Sequence, residues 1–349
     1  MKSSYYLPAE WMPHQGTWLT YPQNTESFCI SLEKARETVC DMIDWISCGE
    51  KVHINVNGEN VAADLNRRLK SRSITENVIT HHFKTDDSWC RDNGAIFLKD
   101  HNSTHLAATT WVFNAWGDKF EHAWDAKLPT LMAQSIGAAI FPFEMVLEGG
   151  AIEPNGAGTL LTTTPCLLNP NRNPGLSKEE IEAQLCAAFG AKQILWLDRA
   201  LVGDDTDGHI DNLARFVSAD TIMTAIEIDP HDANYEALKE NRLKLAGFKG
   251  LDGRPFNIID LPMPAAQFLN GERLPASYLN FYICNNAVIV PTFDCPQDQA
   301  AIDALQKAFP KKRVVGISAQ YILTGGGAFH CLTQPVPIST SQVDVGREQ

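Results

Sequence analysis

The chain has 349 residues, of which 44% are hydrophobic, and its formal net charge is −13 at pH 7. A chain of this length and composition can bury a large core, and its acidic balance argues against nucleic-acid binding. No run of about 18 apolar residues occurs and residues 1–8 lack the apolar core of a signal peptide, so we expect a cytoplasmic protein without membrane contact.

Six stretches show the hydrophobic period of amphipathic helices, and nearly every one is followed closely by a short apolar run typical of a buried strand. The predicted helices cover residues 31–48, 60–70, 122–136, 177–189, 232–245 and 297–309. The predicted strands after them cover residues 52–56, 78–82, 139–143, 193–197, 256–261 and 313–317. Ser177 with Glu180 forms a capping box, which marks the start of the fourth helix.

Hairpins are predicted between one such strand and the next helix. Their paired runs are 96–98 with 105–113, 151–152 with 159–163, 213–217 with 221–228, and 278–283 with 287–293. The unit is therefore strand, strand, helix, strand, and a fifth hairpin begins near residue 328. Its missing elements would come from residues 14–57, which would fasten a closed ring.

The repeat predicts the fold class. We expect one α/β catalytic domain over residues 1–349, built as a five-bladed pseudo-symmetric α/β propeller of ββαβ repeats. The spacing alone leaves an open α/β fold as the alternative.

Unusual residues fall in four of the five equivalent turns, each placed after the last strand of a unit. These turns read DDSWCRDNG (86–94), LEGG (147–150), GDDTDGHIDN (203–212) and TGGGAFHC (324–331), whereas MPAA (263–266) is unremarkable. Equivalent turns of a ring meet at its axis. We therefore expect one pocket that holds Asp92, Glu148, His209, Asp211 and Cys331.

The chemistry of this set points to a cationic substrate. Three glycines before Cys331 pack no side chain, so they indicate a close approach of the backbone to a ligand. Cys331 with His209 provides a nucleophile and an acid/base, and a cationic partner would lower the thiol pKa. Carboxylates beside a nucleophile suit a planar guanidinium. The residues that we further expect to contact the substrate are Trp89, Asp87, Gly326 and Gly327.

Several alternatives remain open from the residues alone. Nine scattered cysteines without a CxxC pair argue against disulfides and a zinc knuckle, so Cys331 could be a buried structural thiol. Cys90 would share a strand face with Asp92 and is the alternative nucleophile. His330 is not expected to be the base, since strand neighbours point to opposite faces. The stretch 205–208 resembles part of a calcium loop but lacks the flanking acids.

At these residues the chain resembles the agmatine deiminases, which belong with the peptidylarginine deiminases in the guanidino-group modifying superfamily. The resemblance is carried by WMPHQGTW (11–18), DDSWCRDNG, LEGGAIEPNGAGTLLTTTPCLLNPNRNP (147–174), DDTDGHIDN and GGGAFHCLTQP (325–335). The chain departs from the family pattern at Gln15-Gly16, Asp86, Ala95 and Ala328-Phe329. None of these departures removes a catalytic group, but they bear on the identity of the substrate.

The resemblance implies a five-bladed propeller that hydrolyses agmatine to N-carbamoylputrescine and ammonia, in putrescine (polyamine) biosynthesis, without metal or organic cofactor. It assigns Cys331 as the nucleophile, His209 as the acid/base, Asp92 and Asp211 as guanidinium clamps, and Glu148 as a further carboxylate. It also suggests a homodimer. The alternatives are a deiminase of peptidyl-arginine or another guanidino compound, an amidinotransferase, and a guanidine sensor that does not turn over.

Overall fold

The structure is a computed structural model that describes residues 4–338. Its helical segments are α1 (Leu32–Ser47), α2 (Glu59–Ser71), α3 (Cys90–Asn93), α4 (Ala115–Asp118), α5 (Leu128–Ser135), α6 (Thr164–Leu167), α7 (Lys178–Phe189), α8 (Tyr235–Gly247), α9 (Gln297–Ala308), α10 (Gln320–Leu323) and α11 (Phe329–Leu332). Short 3-10 turns cover Asp125–Lys127, Gly149–Ala151 and Ile210–Asn212. No helix within the described residues is long and apolar enough to cross a membrane.

The strands are short and are distributed along the whole chain. They are β1 (Tyr5–Tyr6), β2 (His14–Thr20), β3 (Lys51–Asn55), β4 (Val78–His81), β5 (Ile96–Asp100), β6 (Leu106–Val112), β7 (Ala139–Val146), β8 (Glu153–Pro154), β9 (Thr159–Thr163), β10 (Gln193–Leu197), β11 (Ala214–Ser218), β12 (Thr221–Ile226), β13 (Asn257–Pro262), β14 (Phe268–Leu269), β15 (Glu272–Arg273), β16 (Tyr282–Ile283), β17 (Ala287–Thr292), β18 (Arg313–Ser318) and β19 (Thr333–Pro337).

Local sequence chemistry explains where the helices begin. At the start of α7 both hydrogen bonds of the predicted capping box between Ser177 and Glu180 are present. Helix α8 begins at Tyr235, three residues later than predicted, because the Asp232 carboxylate accepts the Asn234 N–H and turns the chain. The predicted helix over residues 122–136 is divided into a 3-10 turn and α5.

Five sheets repeat one pattern, and the fold is mixed α/β. Each contains an antiparallel pair whose second strand lies parallel to a third, reached through a helix. The strand orders are β19-β2-β3-β4, β1-β5-β6-β7, β8-β9-β10, β11-β12-β13 and β16-β17-β18. The corresponding crossover helices are α1, α5, α7, α8 and α9. The unit predicted from the sequence is therefore present in each sheet, while β14 and β15 form a separate hairpin.

The first and last units share one sheet. Strand β19 pairs antiparallel with β2 from Thr333 opposite Leu19 to Val336 opposite Gly16, and β2 is parallel to β3. The elements missing from the fifth unit thus come from the N-terminal region, as expected from residues 14–57. Nonpolar side chains between the sheets and the helices form the core.

A helical turn comes before the first strand of the hairpin in four units. These turns are α3 before β5, Gly149–Ala151 before β8, Ile210–Asn212 before β11, and α11 before β19. The predicted strand at residues 151–152 therefore becomes β8 at 153–154. Turn α11 contacts α3, α3 contacts Gly149–Ala151, and that turn contacts Ile210–Asn212. Turns that are distant in sequence thus lie side by side.

Candidate active site

The predicted site residues are carried by these neighbouring turns and are all buried. Cys331 lies in α11 and Asp92 in α3, and each is 4% exposed. Glu148 and His209 immediately precede 3-10 turns, Asp211 lies within one, and these three side chains are fully buried. The structure therefore gathers residues that are separated by as many as 239 positions in the chain.

Gly150 marks the point where three of these side chains meet. Its N–H donates a hydrogen bond to Asp92 Oδ1 at 2.9 Å. A Cβ added at this position would lie 2.5 Å from His209 Nδ1, 2.8 Å from Asp92 Oδ1 and 3.0 Å from Asp211 Oδ2. Such distances are shorter than side-chain contacts allow, so only glycine leaves room for the imidazole and the two carboxylates.

Cys331 is held by an asparagine from the fourth unit. Asn280 Nδ2 donates to Cys331 Sγ at 3.1 Å, and Asn280 Oδ1 accepts the backbone N–H of His330 at 3.0 Å. On the other side, Asp211 Oδ2 lies 3.7 Å from Sγ. No site residue was predicted in the fourth unit, because its turn at 263–266 is unremarkable in sequence. Asn280 follows this turn only after the hairpin of β14 and β15.

The charge state of the free site differs from the prediction of a thiol beside an imidazolium. Burial, Asp211 and Asp92 raise the pKa of Cys331 well above its usual value. Burial lowers the pKa of His209 to about 3. Burial, Asp211 and Glu148 raise the pKa of Asp92. The free site therefore holds a neutral thiol and a neutral imidazole, and an entering cation would stabilise the ionised forms of the thiol and of Asp92.

Asp92 receives a hydrogen bond from a tryptophan that the sequence prediction missed. Trp116 Nε1 donates to Asp92 Oδ2 at 3.0 Å, and His209 Nδ1 lies 3.7 Å from the same oxygen. Trp116 belongs to α4, in which all four residues have positive φ: 48° at Ala115, 59° at Trp116, 100° at Gly117 and 58° at Asp118. A left-handed turn is costly for L-residues, so its position at the site indicates that it serves to place this indole.

Glu148 is held by an arginine from the same long motif. Arg172 Nε donates to Glu148 Oε1 at 2.6 Å, and its NH1 donates to Asp207 Oδ2 at 2.8 Å. Ligand atoms of Glu148, Cys166 and His209 lie within 4.8 Å of one another, a set that could in principle hold zinc. However, Arg172 already neutralises Glu148, and burial raises the pKa of Cys166 well above its usual value. Both effects oppose the binding of a metal cation.

A cleft of about 330 Å³ opens over Cys331. Its lining consists of Trp89, Asp92, Trp116, Phe120, Asp205, Thr206, Gly325, Gly326, Gly327 and Cys331. Trp89, Gly326 and Gly327 are therefore positioned to contact a ligand. Asp87 lies outside this lining, where its carboxylate accepts the Ser27 hydroxyl and burial raises its pKa to about 6.

The glycine run makes its close approach to a tryptophan of the protein. A Cβ at Gly325 or at Gly327 would lie 2.7 Å from the Trp89 indole, and one at Gly327 would also lie 3.2 Å from Cys331 Sγ. Gly326 has a φ of 90°, and a Cβ there would face the open cleft with Asp205 Oδ2 at 4.0 Å. Two glycines thus let the loop pack on the indole, and the third provides a left-handed conformation.

Two residues next to predicted site residues lie outside the lining of the cleft. Cys90 lies outside the cleft lining, where it accepts the Thr20 hydroxyl at 3.9 Å and burial raises its pKa to about 12. His330 lies behind the site, with Nδ1 2.7 Å from Asp211 Oδ2. The strand geometry predicted for both residues is wrong, because residues 90–93 and 329–332 each form a helical turn. The expectation that His330 is not the base is consistent with its position behind the site.

The acidic stretch at 205–208 does not form a free cation site. Asp207 binds the side chains of Lys119 and Arg172 at 2.8 Å each. Asp205 differs, because it is exposed at the mouth of the cleft and no side chain within residues 4–338 pairs with its carboxylate. Asp205 is therefore available to a ligand.

A second cavity, of about 540 Å³, lies beneath the turns and is lined in part by Glu10, Arg91 and Glu153. Arg91 NH2 donates to Glu10 Oε2 at 2.7 Å, and Glu153 accepts Arg215 Nε at 2.7 Å. Its charged groups already satisfy one another. This cavity therefore offers less to a charged ligand than the cleft over Cys331 does.

The chain is similar to known proteins along nearly its whole length. The family model for the Porphyromonas-type peptidyl-arginine deiminase matches residues 6–337. A Legionella pneumophila protein named "Putative agmatine deiminase" is 37% identical over 352 residues, with 97% of each chain covered. The solved agmatine deiminase of Enterococcus faecalis is 27% identical, with a TM-score of 0.89 and 96% of each chain covered. A C. jejuni agmatine deiminase, a cysteine-to-serine variant with substrate bound, is 31% identical, with a TM-score of 0.85 and 95% of this chain and 96% of that one covered.

Proposed function

Because the chain belongs to the Porphyromonas-type peptidyl-arginine deiminase family, we propose that it is a hydrolase of C–N bonds in linear amidines that converts agmatine to N-carbamoylputrescine and ammonia. The observation that carries this proposal is the meeting of His209, Asp92 and Asp211 around Gly150, beside a cleft whose lining includes Asp92 and Cys331. The chain covers relatives named as agmatine deiminases along nearly their whole length, which supports agmatine as the substrate.

The shape and charge of the cleft suit a slender molecule with a cation at each end. The guanidinium would lie between the buried carboxylates of Asp92 and Asp211. Among residues 4–338, no lysine or arginine belongs to the lining of the cleft. The methylene chain would pass between the aromatic rings of the lining. The ammonium at the far end would reach the exposed carboxylate of Asp205. Carboxylates at both ends of the cleft favour agmatine, which carries a cation at each end, over a compound with only one cation.

The proposed reaction begins when the substrate cation enters beside Cys331. Its charge lowers the thiol pKa, and the thiol proton passes to the neutral His209. The thiolate attacks the guanidinium carbon and forms a tetrahedral adduct. His209 then returns the proton to one terminal nitrogen, the C–N bond breaks, and ammonia leaves.

The second half of the reaction consumes one water molecule. The first half leaves an S-alkylthiouronium cation on Cys331, which Asp92 and Asp211 continue to stabilise. His209 takes a proton from water, and the resulting hydroxide attacks the thiouronium carbon. Collapse breaks the C–S bond and releases the N-substituted urea, and the proton held by His209 restores the thiol. The hydroxyl proton of the adduct passes to solvent, where it converts the released ammonia to ammonium.

The test is ammonia release from agmatine, free arginine, a blocked arginine peptide and butylguanidine, which lacks the distal amine. We expect agmatine to be the fastest substrate and Cys331→Ala to abolish release while agmatine still binds. Cys186→Ala, in α7 and outside the cleft, is the matched control and should retain activity.

The other outcomes identify the alternatives. A faster reaction with the blocked peptide would favour a peptidyl-arginine deiminase, and equal rates with all substrates would contradict agmatine specificity. New guanidino products formed when amines are added would indicate an amidinotransferase. Tight agmatine binding without ammonia would indicate a sensor. Near-normal turnover by Cys331→Ala would overturn the assignment of the nucleophile.

We also infer that residues 1–349 form a single domain whose five units close into a ring, a five-bladed α/β propeller. The repeated sheets and the pairing of β19 with β2 support this inference. A cytoplasmic location is consistent with nine free cysteines. A homodimer and a place in putrescine biosynthesis stay predictions; light scattering of the purified protein would test the first.

A further inference from the structure

A buried histidine lies between two carboxylates directly behind the candidate nucleophile. His330 Nδ1 is 2.7 Å from Asp211 Oδ2, and His330 Nε2 is 3.0 Å from Glu10 Oε2. The three side chains are at most 5% exposed. Because α11 is a helical turn, His330 faces this interior while the adjacent Cys331 reaches the cleft.

Glu10 anchors the far end of this arrangement. Its Oε2 accepts Arg91 NH2 at 2.7 Å, and its Oε1 accepts Arg215 NH2 at 3.0 Å and the Ile283 N–H at 2.9 Å. Burial alone would raise the pKa of Glu10, but Arg215, His330 and Arg91 hold it well below its usual value. Glu10 is thus an ionised group whose position is fixed by three separate segments of the chain.

The contacts define the protons on His330. Burial opposes ionisation of Asp211, but the hydrogen bond from His330 holds the pKa of Asp211 below its usual value. Nδ1 lies 2.7 Å from Asp211 Oδ2 and therefore carries a proton, which it donates to that oxygen. Burial, Arg215 and Arg91 lower the pKa of His330, against the opposing effects of Glu10 and Asp211.

This arrangement leaves one oxygen of Asp211 free. Oδ2 is occupied by His330, while Oδ1 is buried and has no hydrogen-bond partner within residues 4–338. A buried carboxylate oxygen without a partner is costly unless a ligand satisfies it. We propose that His330, anchored by Glu10, is the positioning residue that orients Asp211 so that Oδ1 accepts the substrate guanidinium. This inference rests on the proposed function.

Two substitutions at the same position separate positioning from general structural support. The amide nitrogen of Asn lies near the place of Nδ1, so His330→Asn can still donate to Asp211. The amide nitrogen of Gln lies nearer the place of Nε2, so His330→Gln keeps the contact with Glu10 and loses the contact with Asp211. We expect His330→Gln to raise the KM for agmatine about 10- to 100-fold with a smaller change in kcat, and His330→Asn to stay within a few-fold of the wild type.

A matched control is provided by another buried pair of the same chemistry. His14 Nδ1 lies 3.2 Å from Glu50 Oε1, and both side chains are at most 3% exposed. His14 and Glu50 are not part of the cleft lining. His14→Gln should therefore lower the thermal midpoint while the KM for agmatine stays unchanged.

Calorimetric titration of agmatine into the same variants, made in a Cys331→Ser background, measures binding without turnover. We expect the Kd to follow the KM. Equal KM values for His330→Gln and His330→Asn, or an increase as large in His14→Gln, would overturn the positioning role. An active wild type with an unchanged His330→Gln would overturn this role alone. A wild type that releases no ammonia from any guanidino compound would overturn the proposed function as well.

Discussion

At the scale of single residues, the site is tuned to receive positive charge rather than to hold a preformed thiolate. Asp92 and Asp211 lie near a buried thiol whose pKa is raised by burial and by both carboxylates. Repulsion between such groups destabilises the empty site, and a bound guanidinium relieves it. In the proposed reaction, selectivity for cations and activation of Cys331 therefore have the same physical origin.

Gly150 provides the residue-scale prediction. Its backbone conformation does not require glycine, but a Cβ would intrude between His209 and the two carboxylates. We expect Gly150→Ala to lower kcat/KM for agmatine about 100-fold or more, because displacing catalytic groups by about an ångström has effects of this size. The loss of stability should be modest, in the range of about 1–3 kcal/mol for overpacking.

The measurement compares ammonia release with urea unfolding for Gly150→Ala and for Gly175→Ala. Nothing lies within 4 Å of a Cβ added at Gly175, so that variant controls for the methyl group itself. If Gly150→Ala retained wild-type kinetics, the crowding around this glycine would have no importance for catalysis.

At the scale of elements, reciprocal aspartates fasten the loop before α3 to the loop before α5. The Asp125 carboxylate accepts the N–H groups of Asp86 at 2.8 Å and Asp87 at 3.1 Å. In return, Asp86 Oδ2 accepts the Trp124 N–H at 2.7 Å. These contacts fix the segment that leads into α3, the element that carries Asp92. Burial raises the pKa of Asp125 from its usual 3.8 to about 7.

This raised pKa predicts a pH dependence of stability. Between pH 3.8 and about 7 the folded protein keeps a proton on Asp125 that the unfolded chain has lost. The stabilising contribution of the Asp125 proton to the free energy of unfolding is therefore present at low pH and is lost as the pH rises towards 7. Relative to Asp125→Asn, we expect the wild type to lose about 2 kcal/mol of unfolding free energy between pH 5 and 7.

Urea denaturation of both proteins at several pH values measures this difference. Asp252→Asn is the control, because Asp252 is exposed in the loop before β13 and its removal should not change the slope. Parallel pH profiles for the wild type and Asp125→Asn would show that Asp125 titrates normally.

At the scale of the whole molecule, the pairing of β19 with β2 joins the two ends of the chain. A fold fastened in this way should not depend on where the chain is cut, provided that the cut falls in an exposed loop. We expect a circular permutant with a flexible linker between the present termini, opened between Asp252 and Gly253, to fold. Its kcat/KM for agmatine should stay within about tenfold of the native chain.

The complementary variant removes residues 333–349 and with them β19. Because β2 would then present an unpaired edge and lose buried contacts, we expect this truncation to unfold or to aggregate. Circular dichroism and thermal melts compare the circular permutant with the truncated chain. A truncated chain as stable as the native one would show that closure is not needed for the fold.

The sequence by itself determined the repeating unit and the turns that carry the candidate catalytic groups. The apolar run at residues 193–197 is β10, the Ser177 capping box opens α7, and the turns with Cys331 and His209 lie together as expected. These features could be predicted because hydrophobic period, capping and turn chemistry are local properties of a few consecutive residues.

Only the tertiary structure decided which partners complete the site and how its groups are charged. Asn280 and Trp116 come from segments whose local sequence gives no sign that they approach Cys331 or Asp92. The helical turn at 329–332 also brings His330 to Asp211, a contact that the sequence did not predict. Contacts between distant segments depend on how the sheets are arranged, and pKa values depend on burial among those contacts. Neither can be obtained from the order of residues alone, since both arise only when the separate turns share one interior.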